Sequence, residues 1–153
     1  MSLVVPLPPS IEPMFVAAGW RPMRREAVDL QGRPLAIFHA KQVTDEFGGL
    51  CVGAEGPGQA MATSRICFYR EPQLLAAATR VRFWMQQLGP LVAVGQGHPD
   101  LLVCVDGSGR FYVHLLPNLS LHLLGPSFGP AMEVLLLGLE LSEPIPDDTE
   151  RPL

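Results

Sequence analysis

Apolar residues recur along this chain with two different periods, and the change of period divides it into helices and strands. The clearest helical stripe is Leu74, Ala78, Val81, Met85 and Leu88, with Ala77 and Trp84 widening the face, and it stops at Gly89 and Pro90. An earlier stripe, Ala36, Ala40, Val43 and Phe47, predicts a helix over 34–47. Gly48 and Gly49 end it, because glycine reaches the left-handed cap conformation at little steric cost. Residues 11–18 read as a shorter helix stopping at Gly19, with Phe15 and Trp20 as apolar anchors. Ser127 is placed to cap a closing helix over 131–137, which Gly138 ends.

Between these helices the pattern shortens. Strands are predicted over 24–30, before a turn at Gln31 and Gly32, over 50–54, and over 62–69, where Ile66, Cys67 and Phe68 follow a Gly and Pro loop at 56–58. Another short strand, 92–95, precedes a loop through Gly97, Pro99 and Asp100. Residues 101–105 and 110–115 form a hairpin, since Asp106, Gly107, Ser108 and Gly109 tolerate tight-turn angles. Pro117 and Asn118 then turn the chain into 119–124, where Leu119, Leu121 and Leu123 alternate with Ser120 and His122 as in a third strand of a meander. A run of consecutive strands with helices early, in the middle and last favours an antiparallel sheet with helices packed on it, an α+β fold. The expected organisation is a proline-rich lead over 1–10, one domain over 11–138, and a loose acidic tail over 139–153.

Length agrees with one core: 153 residues suffice for a single domain to bury enough surface without staples. The formal charge of -4 belongs to the tail, where Glu140, Glu143, Asp147, Asp148 and Glu150 face only Arg151. The rest of the chain is neutral by count, and only Arg21, Arg24 and Arg25 cluster, a group that reads either as a partner patch or as a solvated face. Binding nucleic acid directly needs clustered cations to displace counterions, so that function is not expected. No cationic start precedes an apolar core, and the apolar run 134–139 is far short of the roughly 20 residues of a membrane span, so a cytoplasmic protein without a membrane partner is expected. Cys51, Cys67 and Cys104 are odd in number and far apart, two of them in apolar runs, which reads as core cysteines of a reducing compartment.

Catalytic chemistry leaves no mark. The histidines His39, His98, His114 and His122 lack metal-ligand spacing, and only His114 and His122 have a route to becoming neighbours. A three-residue loop would set those two opposite each other, whereas a two-residue loop would set them on different faces. Ser108 sits between glycines but in a hairpin turn, Cys51 reads as a buried strand residue, and Asp45 and Glu46 diverge around their helix. Gly53, Gly56 and Gly58 do not have phosphate-loop spacing, and Gly95-Gln96-Gly97 is a fragment of one. No enzyme activity, metal or cofactor is expected.

The order of short motifs carries more information. Residues 15–20 (FVAAGW) with Arg24 just after, 46–50 (EFGGL) at a helix-to-strand corner, 91–95 (LVAVG), 106–112 (DGSGRFY), and Leu124-Gly125 before a leucine-rich helix occur in sequence over about 14–138. In that order the chain resembles the third subgroup of the SUKH superfamily of bacterial immunity proteins. The resemblance implies an α+β fold with a twisted antiparallel sheet and a protein that binds and neutralises a cognate toxin, often encoded beside it. It also admits a scaffolding role, as in some superfamily relatives. The loop at 56–60, the apolar closing helix and the acidic tail depart from the pattern. A nuclease is one possible toxin, but the neutral body does not select it.

If binding is the function, exposed aromatics and arginines are the expected anchors, because they dominate interface energetics. Trp20, Arg70, Arg110 and Tyr112 are the candidates, with a place in the core as the competing reading of Trp20 and Tyr112.

Overall fold

A computed structural model describes residues 5–21, 35–75, 79–98, 100–116 and 120–146; the strand expected over 24–30 lies outside them. Among these residues lie the helices α1 (Glu12–Ala17), α2 (Leu35–Phe47), α3 (Thr79–Leu88) and α4 (Phe128–Leu137). The strands are β1 (Cys51–Val52), β2 (Arg65–Leu74), β3 (Val92–His98), β4 (Leu101–Val105), β5 (Phe111–Leu115) and β6 (Ser120–Gly125). They form one six-stranded sheet in chain order, and every neighbouring pair is antiparallel. This is a single α+β domain, as the run of consecutive strands requires.

Alternation along the strands sends side chains to two different cores. Val103 and Val105 of β4 and Phe111 and Val113 of β5 face a core built with Phe15 of α1, Ala40, Val43 and Phe47 of α2, and Met132 and Leu135 of α4. Cys104 and Tyr112 point the other way, into a smaller core closed by Val81, Phe83 and Trp84 of α3. The sheet is therefore covered on both faces, by three helices on one side and α3 on the other.

Several boundaries differ from the sequence reading, each for a local reason. Leu74, which heads the helical stripe, is an exposed residue at the end of β2, and α3 starts at Thr79. Strand β2 runs this far because its register with β3 shifts between Phe68 and Gln73, and Pro72, which has no N–H to give a ladder, falls within that irregularity. Strand β3 continues through Gly95 and Gly97 to His98. A Cβ at Gly95 would lie 2.8 Å from the Cys67 carbonyl oxygen, so the glycine permits a close backbone approach where a strand break was expected. Strand β1 stops at Val52 because Gly53 takes φ +82°. Helix α4 begins at Phe128, ahead of the expected start, with Pro130 in its first turn where a missing N–H costs nothing. Ser127 occupies the N-cap in extended conformation but makes no side-chain cap bond.

Both ends of the described chain touch the domain. Val5 and Leu7 pack on the larger core, and Ser10 Oγ donates to the Glu133 carboxylate of α4 at 2.6 Å. Past α4, the described residues 139–146 reach β6: Pro144 bridges His122, and Ile145 N–H donates to the Leu121 carbonyl at 2.7 Å.

Cys51 is exposed, not buried, and is joined to Cys67 by a disulfide between directly opposed residues of β1 and β2. Cys104 alone behaves as expected of a core cysteine, free and fully buried.

Candidate partner-binding surface

The hairpin turn between β4 and β5 is organised by one buried carboxylate. Asp106 is fully buried at the end of β4. Its Oδ1 accepts the Ser108 N–H at 2.8 Å and the Arg110 N–H at 3.0 Å, an Asx turn that fixes the loop from within. Its Oδ2 accepts Arg110 Nε at 3.0 Å and the Tyr112 hydroxyl at 2.8 Å. Gly109 completes the turn at φ +85°, where a side chain would be strained. Burial, the hydrogen bond to Asp106 and its negative charge all hold the Tyr112 hydroxyl protonated, and the Arg110 charge opposes them only in part.

This network divides the four candidate anchors. Tyr112 is only 1 % exposed and acts from beneath the turn, while the Arg110 side chain remains 46 % exposed. With Nε engaged by Asp106, the terminal amines of Arg110 are the part of the guanidinium left to face solvent, in a geometry suited to a carboxylate or carbonyl acceptor. Trp20 and Arg70 belong to a second place, the corner after α2. Trp20 is 6 % exposed and its ring lies 6.1 Å from Phe47. Arg70 is exposed, with its guanidinium across Gly49, just beyond the C-terminal end of α2 where the helix dipole favours a cation. It has no ion-pair partner among the described residues. Strands β3 and β4 separate the two places in the sheet.

A cleft of about 530 Å³ opens beside the β4–β5 turn, on the face covered by α2 and α4. Its walls are the 5–8 segment, His39 and Gln42 of α2, Ser108 and Gly109 of the turn, and the 126–130 corner. The imidazole of His39 lies under the turn, 3.4 Å from where a Cβ on Gly109 would stand.

His114 and His122 fall on opposite faces, because His114 pairs with Leu121 and His122 with Val113. His114 is buried edge-on against Trp84, with 5.3 Å between ring centroids. Burial pulls its pKa down, and its Nδ1 has no hydrogen-bond partner among the described residues. His122 binds Ser120 Oγ at 3.0 Å and the Ser142 carbonyl at 2.8 Å. Among the described residues no group of three or more His, Cys, Asp and Glu could hold a metal ion, and no helix is long and apolar enough to cross a membrane. Burial raises the Cys104 thiol to about 12, which leaves it protonated and unreactive.

Residues 7–138 match the family model described as SUKH-3 immunity protein. The chain belongs to the SUKH-3 immunity protein family. No curated protein and no solved structure matches it. In this SUKH-3 protein the motif residues converge in space. Phe15 of FVAAGW lies 4.9 Å from Phe47 of EFGGL, Phe47 stacks on Phe128 at 5.0 Å, and Phe111 of DGSGRFY meets Phe128 edge-on at 5.5 Å. The ordered motifs are thus largely an aromatic core that ties α1, α2 and α4 to the sheet.

From the sequence Asp106 reads only as a turn former, whereas its carboxylate is the centre of the hydrogen-bond network. The available signal was its spacing: Arg110 four residues on and Tyr112 six residues on supply the donors once the chain has turned back.

Proposed function

We propose that this SUKH-3 protein is a non-catalytic immunity protein that binds and neutralises a cognate toxin protein in the cytoplasm, using the surface around the β4–β5 turn. Family membership supports the immunity role. The observation that carries the choice of surface is Arg110, exposed yet held at its Nε by a buried carboxylate. An arginine already ordered loses less side-chain entropy on binding, so a larger share of each new hydrogen bond appears as affinity. Arg70, exposed and without an acidic partner among the described residues, is the second anchor. Trp20 and Tyr112 serve from behind, Tyr112 by fixing Asp106 and Trp20 by packing against Phe47 at the end of α2. No cofactor, metal or nucleic acid enters this reading, and the neutral body does not require a basic nuclease as the toxin.

The test is co-expression with the polypeptide encoded beside the gene, read as growth rescue and as a stoichiometric complex. Ser108→Arg, on an exposed turn position, and Arg110→Ala should each weaken the complex about tenfold or more, with the far-ultraviolet spectrum unchanged. Arg70→Ala should weaken it less. Absence of both rescue and binding, with unrelated proteins captured instead, would overturn the immunity reading in favour of a scaffolding domain. Full affinity in Ser108→Arg would move the interface elsewhere.

A further inference from the structure

Cys51 and Cys67 lie on the sheet face that α3 covers only in part. Val52 and Ile66, their chain neighbours, point into the larger core, which turns both sulfurs to the opposite side. There Cys51 is exposed and Cys67 half-buried, and the residue paired with Cys67 on β3 is the exposed Gln96. The third cysteine, Cys104, is fully buried and cannot compete for either partner.

The bridge also joins the edge strand of the sheet to its neighbour, next to the backbone bonds that Gly49 and Leu50 make with Phe68. Strand β1 is two residues long and pairs with β2 only at Cys51↔Cys67 and Val52↔Ile66. The chain between the two cysteines carries the loop that closes the C-terminal end of α4. Gln59 N–H donates to the Leu137 carbonyl, the Ala60 and Met61 N–H groups donate to the Gly138 carbonyl, and Ser64 N–H donates to the Leu135 carbonyl.

We propose that Cys51 and Cys67 are a reversible thiol–disulfide site, open to small thiols in the folded protein, whose closure locks β1 to β2 and rigidifies the 53–64 loop over α4. The exchange partner is a low-molecular-weight thiol. Its thiolate attacks the exposed Cys51 sulfur, the Cys67 thiolate leaves and takes a proton, and a second thiol resolves the mixed disulfide. The net change is one protein disulfide and two thiols giving two protein thiols and one small disulfide, and the small disulfide drives the reverse. This site is independent of the toxin-binding reading.

The experiment uses the full chain, without denaturant, with maleimide labelling read by mass spectrometry and amide exchange of the 53–64 loop. After oxidised glutathione no cysteine should label. After reduced glutathione Cys51 and Cys67 should label and Cys104 should not. On reduction the amides of Gln59, Ala60 and Met61 should exchange about tenfold faster, since releasing a closed loop lowers the cost of its local opening. The Cys51→Ser/Cys67→Ser double variant should show that fast exchange in both buffers. Thiols that fail to pair in oxidised glutathione, or a bridge that yields only in denaturant, would overturn the redox site. Equal exchange in oxidised and reduced protein would overturn the lock.

Discussion

Asp106 shows how one side chain fixes a common turn in a single arrangement. Its carboxylate is fully buried, and the donors around it come from two backbone amides, a guanidinium and a phenol. Such a group stabilises only while its partners remain, because a buried charge that loses them keeps its desolvation cost. Tyr112→Phe removes one donor and leaves the shape, so it should lower the unfolding free energy by about 1–2 kcal/mol. Asp106→Ala removes the acceptor for all of them and should cost about 3 kcal/mol or more. Urea unfolding of both variants checks the ranking, and a costlier Tyr112→Phe would contradict the assignment of Asp106 as the hub. The network was half legible: D-G-S-G announces a turn from its own backbone preferences. Burial of the carboxylate follows only from what packs over the hairpin.

Among the elements, α4 packs on the larger core through Phe128, Met132 and Leu135, while the loop that closes its end comes close to it at glycines. Gly138 ends the helix at φ +69°, and a Cβ there would run into the Met61 carbonyl and stand 2.8 Å from Gly58 Cα. Gly138→Ala should therefore destabilise by about 3 kcal/mol or more, against about 1–2 kcal/mol for Gly89→Ala, which meets only the backbone cost of its left-handed conformation. Gly89 also has positive φ, but none of the described residues lies within 4 Å of its added Cβ. Thermal unfolding of the pair separates the clash from the backbone preference. The helix end at Gly138 was readable from sequence, because a cap is a local event. The docking of the 56–62 loop onto it was not, since those residues carry no pattern that points to a partner nearly 80 residues away in sequence, as Ala60 and Gly138 are.

For the molecule as a whole, acid should be the weakness. His114 is buried beneath α3 with a pKa below its ordinary value because the charged form is desolvated. The unfolded chain then binds more protons than the folded one at pH values between the lowered folded pKa and about 6.5, so stability falls as pH drops through that window. Urea midpoints at pH 7.5 and 5.5 should differ more in the wild type than in His114→Phe, which keeps a ring against Trp84 without the titrating nitrogen. Equal differences would remove His114 from the account. Cys104 adds nothing to this range, since its thiol stays protonated up to about 12.

The sequence by itself determined the alternation of helices and strands, the hairpin at Asp106–Gly109, the α+β class and the motif order of the SUKH-3 family, because each is written in local backbone preference or in the period of apolar residues. Tertiary structure alone decided that Trp20 and Tyr112 lie in the cores while Arg70 and Arg110 face solvent, that Cys51 meets Cys67, and that His114 and His122 part company. These outcomes depend on register and on which helix covers which face. A shift of one residue in strand pairing sends every side chain to the other side of the sheet, and nothing local to a strand records that choice.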